Sequence, residues 1–177
     1  MVTRDDREFC LAISCEGGLQ SSRLTYYMYV WQMLGFNIQF RYRLQSCGFC
    51  SNDCSTYVNE AVGVGDFNID NMGYITPADH MTWYEEVPFS LEVIEILNNV
   101  KLFLDRLDQS DLELLCLSDL LITTVIQKKS AEALVTEQES IKSTLKTFCS
   151  SYTEEDFDSC ISFMRQVKAY KETITRG

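Results

Sequence analysis

The sequence predicts an α+β fold that is mainly helical, with about six helices and a small antiparallel sheet or hairpin in the N-terminal half. Three observations carry this reading. Apolar residues recur at three and four through much of residues 90–177, the spacing of one helix face. Strict apolar–polar alternation appears in Ile38–Leu44, the period of a strand with one face buried. Serine and threonine stand just ahead of several apolar-periodic stretches with an acidic residue three positions on, where helix N-termini belong.

The elements follow in chain order. Asp5 to Cys15 is helical in pattern and is stopped by Gly17-Gly18, because glycine takes the left-handed backbone that ends a helix. Ser22 is placed to cap a second helix, Arg23 to Leu34, which Gly35 ends. That helix is rich in rings: Tyr26, Tyr27, Tyr29 and Trp31. Aromatics are mediocre helix formers, so packing has to hold them there. The alternating strand comes next, then a short helix from Ser51 to Ala61. Val64 to Ile69 and Gly73 to Thr76 flank Asp70-Asn71-Met72 as a hairpin-like turn.

In the second half, Ser90 is positioned as an N-cap, and Leu91, Ile94, Leu97, Val100, Leu104 and Leu107 form one apolar stripe. Ser110 to Glu113 matches a capping box. The stretch from Leu114 to Ile126 behind it is apolar nearly all round, which predicts a central, buried helix. Thr136 to Glu139 is a second box, opening a helix that buries Ile141, Leu145 and Phe148. Thr153 to Asp156 repeats the arrangement with aspartate, ahead of Phe157, Cys160, Ile161, Met164 and Val167.

The chain has 177 residues, with 46% hydrophobic and 23% charged side chains, an ordinary globular composition. That length suits one core, and no repeat or Pro/Gly/Ser linker divides it. A single domain over 1–177 is expected, with a mixed part (1–89) and a helical part (90–177). Lysine is absent from the first part and aromatics concentrate there. Both parts are acidic, and the net charge of −11 opposes binding to a phosphate backbone. No apolar run approaches the ~20 residues of a membrane span. No secretion signal is read at the start, so a cytoplasmic location with reduced thiols is expected for the eight cysteines.

Chemistry is weakly signposted. Cys47, Cys50 and Cys54 have a spacing that could supply three ligands to zinc or an iron–sulfur cluster. A fourth ligand is missing nearby, and the bland reading is three small apolar side chains around a strand-to-helix turn. His80 is the only histidine, and acid–base work by it needs a positioned partner that the sequence does not show. Neither a nucleophile elbow nor a phosphate-binding glycine loop is present. Asp105, Asp108, Asp111 and Glu113 cluster at a helix–helix connection, the usual pattern of a solvated loop. No cofactor and no catalytic residue is assigned.

The ring-rich helix is the most informative feature. At about 100° per residue its four aromatics cannot share one face. Either some point outward or a second layer covers them. Tyrosine, tryptophan and arginine anchor interfaces, and Arg41 and Arg43 fall on one face of the alternating strand. A partner-binding surface is therefore expected from Tyr26, Tyr27, Tyr29, Trp31, Arg41, Arg43 and Phe49.

Several stretches together resemble one family. Arg23 to Gln32, RLTYYMYVWQ, resembles the KLQKLVYLLQ helix of the YwgA-like bacterial proteins, themselves similar to the SocA-like, or Panacea, antitoxin domains. Phe40 to Ser51, FRYRLQSCGFCS, resembles their YRFELYTYGPYS strand and turn. Leu112 to Cys116 resembles their LELLA helix start, and Thr153 to Phe157 their FSEEEI final helix. The order and spacing agree over most of the chain. The departures are Tyr26 for the family's second lysine, Cys47 and Cys50 for the tyrosines flanking its Gly-Pro, and Phe49 for its proline.

The resemblance implies a non-catalytic regulatory subunit, antitoxin-like or accessory to a toxin–antitoxin or phage-defence system, whose partner is a toxin or defence effector protein. Two other readings stand beside it. One is a small enzyme or metalloprotein built on Cys47, Cys50 and Cys54 or on His80. The other is an acidic phage-encoded inhibitor occupying a basic nucleic-acid groove. No membrane or direct nucleic-acid partner is expected, and self-association is left open by the sequence.

Overall fold

The computed structural model describes residues 6–46, 48–79, 89–128, 131–148 and 152–176. In chain order these form α1 (Asp6–Cys15), β1 (Leu19–Gln20), α2 (Ser21–Leu34), β2 (Arg43–Gln45), β3 (Gly48–Cys50), α3 (Asn52–Gly63), β4 (Phe67–Ile69), β5 (Tyr74–Pro77), α4 (Leu91–Arg106), α5 (Gln109–Lys128), α6 (Ala131–Phe148), α7 (Glu154–Ala169) and α8 (Lys171–Arg176). The fold is α+β and mainly helical: seven helices of ten residues or more, a six-residue terminal one, and two small antiparallel sheets in the N-terminal half.

Helix α2 is enclosed. It packs against α1, α3, α5, α7, α8 and β1, and every large apolar side chain from Leu24 to Trp31 is buried. Its C-terminus is closed by Gly35 at φ +119, whose N–H donates to the Gln32 carbonyl while that of Phe36 donates to Trp31. The expected Ser22 cap is not formed. The N-cap position falls on Gln20, which makes no side-chain cap bond, and Ser22 lies inside the first turn.

The alternation over Ile38–Leu44 is real in burial but not in pairing. Ile38 and Phe40 are buried while Gln39 and Arg41 face solvent, yet only Arg43–Gln45 joins a ladder, opposite Gly48–Cys50. Backbone bonds from this segment go elsewhere: the Phe40 N–H to Gln32 and the Arg41 N–H to Asp53. The other sheet, β1-β5-β4, is built on the expected hairpin. Asp70 Oδ1 accepts from the N–H groups of Met72 and Tyr74, both at 2.8 Å, and fixes the turn.

Caps set the remaining helix starts. Ser51 accepts from the Cys54 N–H, Ser90 from that of Val93, and Thr153 with Asp156 forms the reciprocal box at α7. The Ser110 box is replaced: α5 begins one turn's edge earlier, and Asp108 accepts from the Asp111 N–H at 2.8 Å. Thr136 lies inside α6 rather than ahead of it. In α4 the buried stripe is Val93, Ile96, Leu97, Val100 and Leu104, leaving Leu91 85% exposed.

Helix α5 is shared between two groups of buried side chains. Leu112, Leu115 and Cys116 join the main core with α1, α2, α4 and α7, so that core draws on both halves of the chain. Leu114 and Leu117 turn the other way, onto Ile141, Leu145, Tyr152 and Phe157. That is why α5 is apolar all round. Among the described residues, no helix is long and apolar enough to cross a membrane.

Candidate functional site

The surface expected from the ring-rich helix is interior. Tyr26, Tyr27, Tyr29, Trp31 and Phe49 are all less than 7% exposed, so they cannot meet a partner without unfolding. A second layer covers them, and each polar tip is satisfied inside the molecule. The Trp31 indole donates to Ser14 at 2.8 Å, the Tyr27 hydroxyl to Asp105 at 2.7 Å and the Tyr29 hydroxyl to Asp119 at 2.8 Å. Tyr26 stacks on Phe49, and its hydroxyl accepts from Gln109. Burial, then the neighbouring Asp119 carboxylate, pushes the Tyr29 phenol well above its ordinary range. Only Arg41 and Arg43 of the expected set lie at the surface. Arg41 is 3.9 Å from Asp53 with its side chain 96% exposed, a contact worth little in water.

Of the cysteine trio, Cys47 lies outside the described residues, as does His80. Cys54 is inside the core, and burial pushes its thiol up to about 12. Cys50 Sγ is 3.6 Å from the Arg43 carbonyl, to which it donates. Cys15 is likewise raised by burial to about 12, and Cys116 is raised strongly by the same cause. A thiol held protonated is a poor nucleophile and a poor metal ligand. Among the described residues, no three histidine, cysteine or acidic side chains are grouped to hold a metal.

The acidic cluster divides by role. Asp105 takes the Tyr27 hydroxyl and Lys101, Asp108 caps α5, and Glu113 accepts from the Phe49 N–H at 3.2 Å. Asp111 alone of the four faces a groove of about 640 Å³ between α4, α5 and α7. Its floor is apolar, from Val100, Leu114, Leu115 and Val167. Its walls carry Phe103 and Phe163, stacked at 3.8 Å between centroids and 17° between planes. Phe103 is 36% exposed and Tyr170, which also lines the groove, is 40% exposed, while the floor residues are buried.

Apart from Asp111, the groove's open residues were not singled out from sequence. Phe103 and Phe163 stand three positions on from Val100 and from Cys160, at the margins of the apolar stripes of α4 and α7, so helical periodicity reads both as ordinary core positions and gives no sign of a groove. Comparison of the whole chain with protein-family models, curated proteins and solved structures finds no match.

Proposed function

We propose that the chain is a non-catalytic protein-interaction subunit, an antitoxin-like or accessory component of a toxin–antitoxin or phage-defence system. Its partner is a toxin or effector protein. The observation that supports an interaction role is the open groove with the stacked Phe103–Phe163 pair. Its lining sets apolar side chains beside Asn99, Asp111, Asp156, Ser159, Ser162 and Gln166, and a binding cleft likewise combines apolar area with polar groups that fix orientation. The thiols within the core are held protonated, which favours binding over thiol chemistry. The toxin or defence context rests on the sequence resemblance of α2, the β2–β3 region, the α5 start and the α7 start.

The test uses the chain at natural expression, with the captured protein identified and the pair reconstituted from purified components. Ser162→Arg places a long cation in the groove at an exposed position and is expected to abolish the complex. Arg41→Glu with Arg43→Glu is expected to leave it intact. A folded Ser162→Arg variant that holds the partner as tightly as the parent would place the interface elsewhere.

A further inference from the structure

Resting on that interaction reading, we propose that the groove between α4, α5 and α7 seats one cationic amphipathic helix of the partner protein. An apolar side chain would pack on the outer surface of the Phe103–Phe163 stack, and a lysine or arginine would meet Asp111. Three features of the groove point to this occupant. The first is charge. The lining holds two carboxylates, Asp111 and Asp156, and no basic side chain, on a chain of net charge −11. Asp156 is held in place by Thr153, whose N–H donates to its Oδ2 at 3.0 Å, so its carboxylate is fixed in the lining. Complementary charge across an interface sets partner choice and association rate.

The second feature is size. A volume of about 640 Å³ exceeds any single side chain and matches the several anchors that one helix face presents at i, i+3, i+4 and i+7. The third is the walls. Two of them are the sixteen-residue helices α4 and α7, between which a third helix can lay its ridge in their grooves. A phosphate backbone is disfavoured by the same carboxylates. A second copy of this chain would bring a like-charged surface against them.

The experiment measures anisotropy of a labelled model helix of leucine and lysine with leucines at helical spacing, titrated with the intact protein. Three comparison peptides accompany it: leucine–glutamate with the same pattern, leucine–lysine in scrambled order, and lysine–serine with no apolar face. Saturable one-to-one binding of the patterned leucine–lysine helix alone, weakening with salt, is expected. Ser162→Arg should weaken it at least about tenfold and Asp111→Asn by a few-fold. Glu60→Arg, on the exposed face of α3, should leave it unchanged. Equal binding of the scrambled peptide, or equal loss in Glu60→Arg, would show charge attraction without a groove and overturn the proposal. Equal binding of the leucine–glutamate helix would overturn its electrostatic half. A dimer by sedimentation that Ser162→Arg dissociates would assign the groove to a second copy instead. If the native partner is lost on Ser162→Arg while no leucine–lysine helix binds, the cationic helix is wrong and the interaction role stands. If the native partner is indifferent to Ser162→Arg, the interaction reading of this groove fails whatever the peptides do.

Discussion

The contact most exposed to a quantitative test is the polar clamp that ties α2, α5 and α7 together. Asp119 Oδ2 accepts from the Tyr29 hydroxyl at 2.8 Å, and Oδ1 accepts from Lys168 Nζ at 2.6 Å. The carboxylate is 5% exposed and the lysine side chain 39%. Removing one partner of a fully buried pair costs about 3–5 kcal/mol. The Lys168 head reaches water, so solvent takes over part of its role, and about 2 kcal/mol is expected for Lys168→Met. Asp119→Ala costs more, about 3–4 kcal/mol, because it also strands the Tyr29 hydroxyl in the core. Asp119→Asn keeps an acceptor for Tyr29 and should cost about 1–2 kcal/mol. For a chain of this size each kcal/mol moves the melting temperature by about 2–4 °C, so Asp119→Ala should melt about 6–16 °C below the parent. Urea and thermal unfolding of these variants, with Asp119→Leu and the double Asp119→Leu/Lys168→Met, form the assay. The double leaves no buried charge but still strands the Tyr29 hydroxyl, so its loss should be smaller than the sum of the Asp119→Leu and Lys168→Met losses. An Asp119→Ala variant within about 0.5 kcal/mol of the parent, or a double whose loss equals that sum, would refute the clamp.

Four other outcomes follow from burial and backbone geometry. Leu115→Asp should give no soluble, cooperatively melting protein, because Leu115 is 1% exposed and an unpaired carboxylate there costs several kcal/mol; a cooperative thermal transition would contradict this. Gly48→Ala should lose about 1–3 kcal/mol, because Gly48 sits at φ +100 and a Cβ would run into the Glu113 carboxylate, and unfolding of the double Gly48→Ala/Glu113→Ala separates strain from collision. Stability should be full below pH 9 and fall as pH rises toward 12, because folded Cys15 and Cys54 keep their protons to about 12 whereas an ordinary thiol releases its own at 9.0; denaturation midpoints that do not fall across this window would contradict it. Iodoacetamide mapped by mass spectrometry should modify Cys50 and Cys160, which are partly exposed, well before Cys10, Cys15, Cys54 and Cys116.

Local signals were legible wherever their cause is local. Ser51, Ser90 and the Thr153–Asp156 box each act within one helical turn, and a side chain three residues from an N–H reaches it whatever the rest of the chain does. The same holds for Gly35 and for the Asp70 turn. Local reading failed where a second, unseen option competed. Asp108 displaced Ser110 as the α5 cap, and α6 began ahead of Thr136. The pattern over Ile38–Leu44 announced alternating burial correctly but could not announce hydrogen-bond partners, which lie across the fold at Gln32 and Asp53.

The composition and periodicity of this chain by themselves determined a mainly helical α+β fold, a ring-rich helix that packing must hold and a central apolar helix. Those properties depend on turn spacing and side-chain type, which are written in the order of residues. Tertiary structure alone decided which way the rings of α2 face and where a surface cleft opens. The geometry that forbids Tyr26, Tyr27, Tyr29 and Trp31 from sharing one face allowed either an outward patch or a second layer. Helices α1, α5, α7 and α8, with Phe49 of β3 and Asp105 of α4, supply that layer, most of it at sequence separations no local pattern records. Phe103 and Phe163, sixty residues apart by their numbers, meet only because α4 and α7 both border α5, so the groove exists in the packing and nowhere in the sequence.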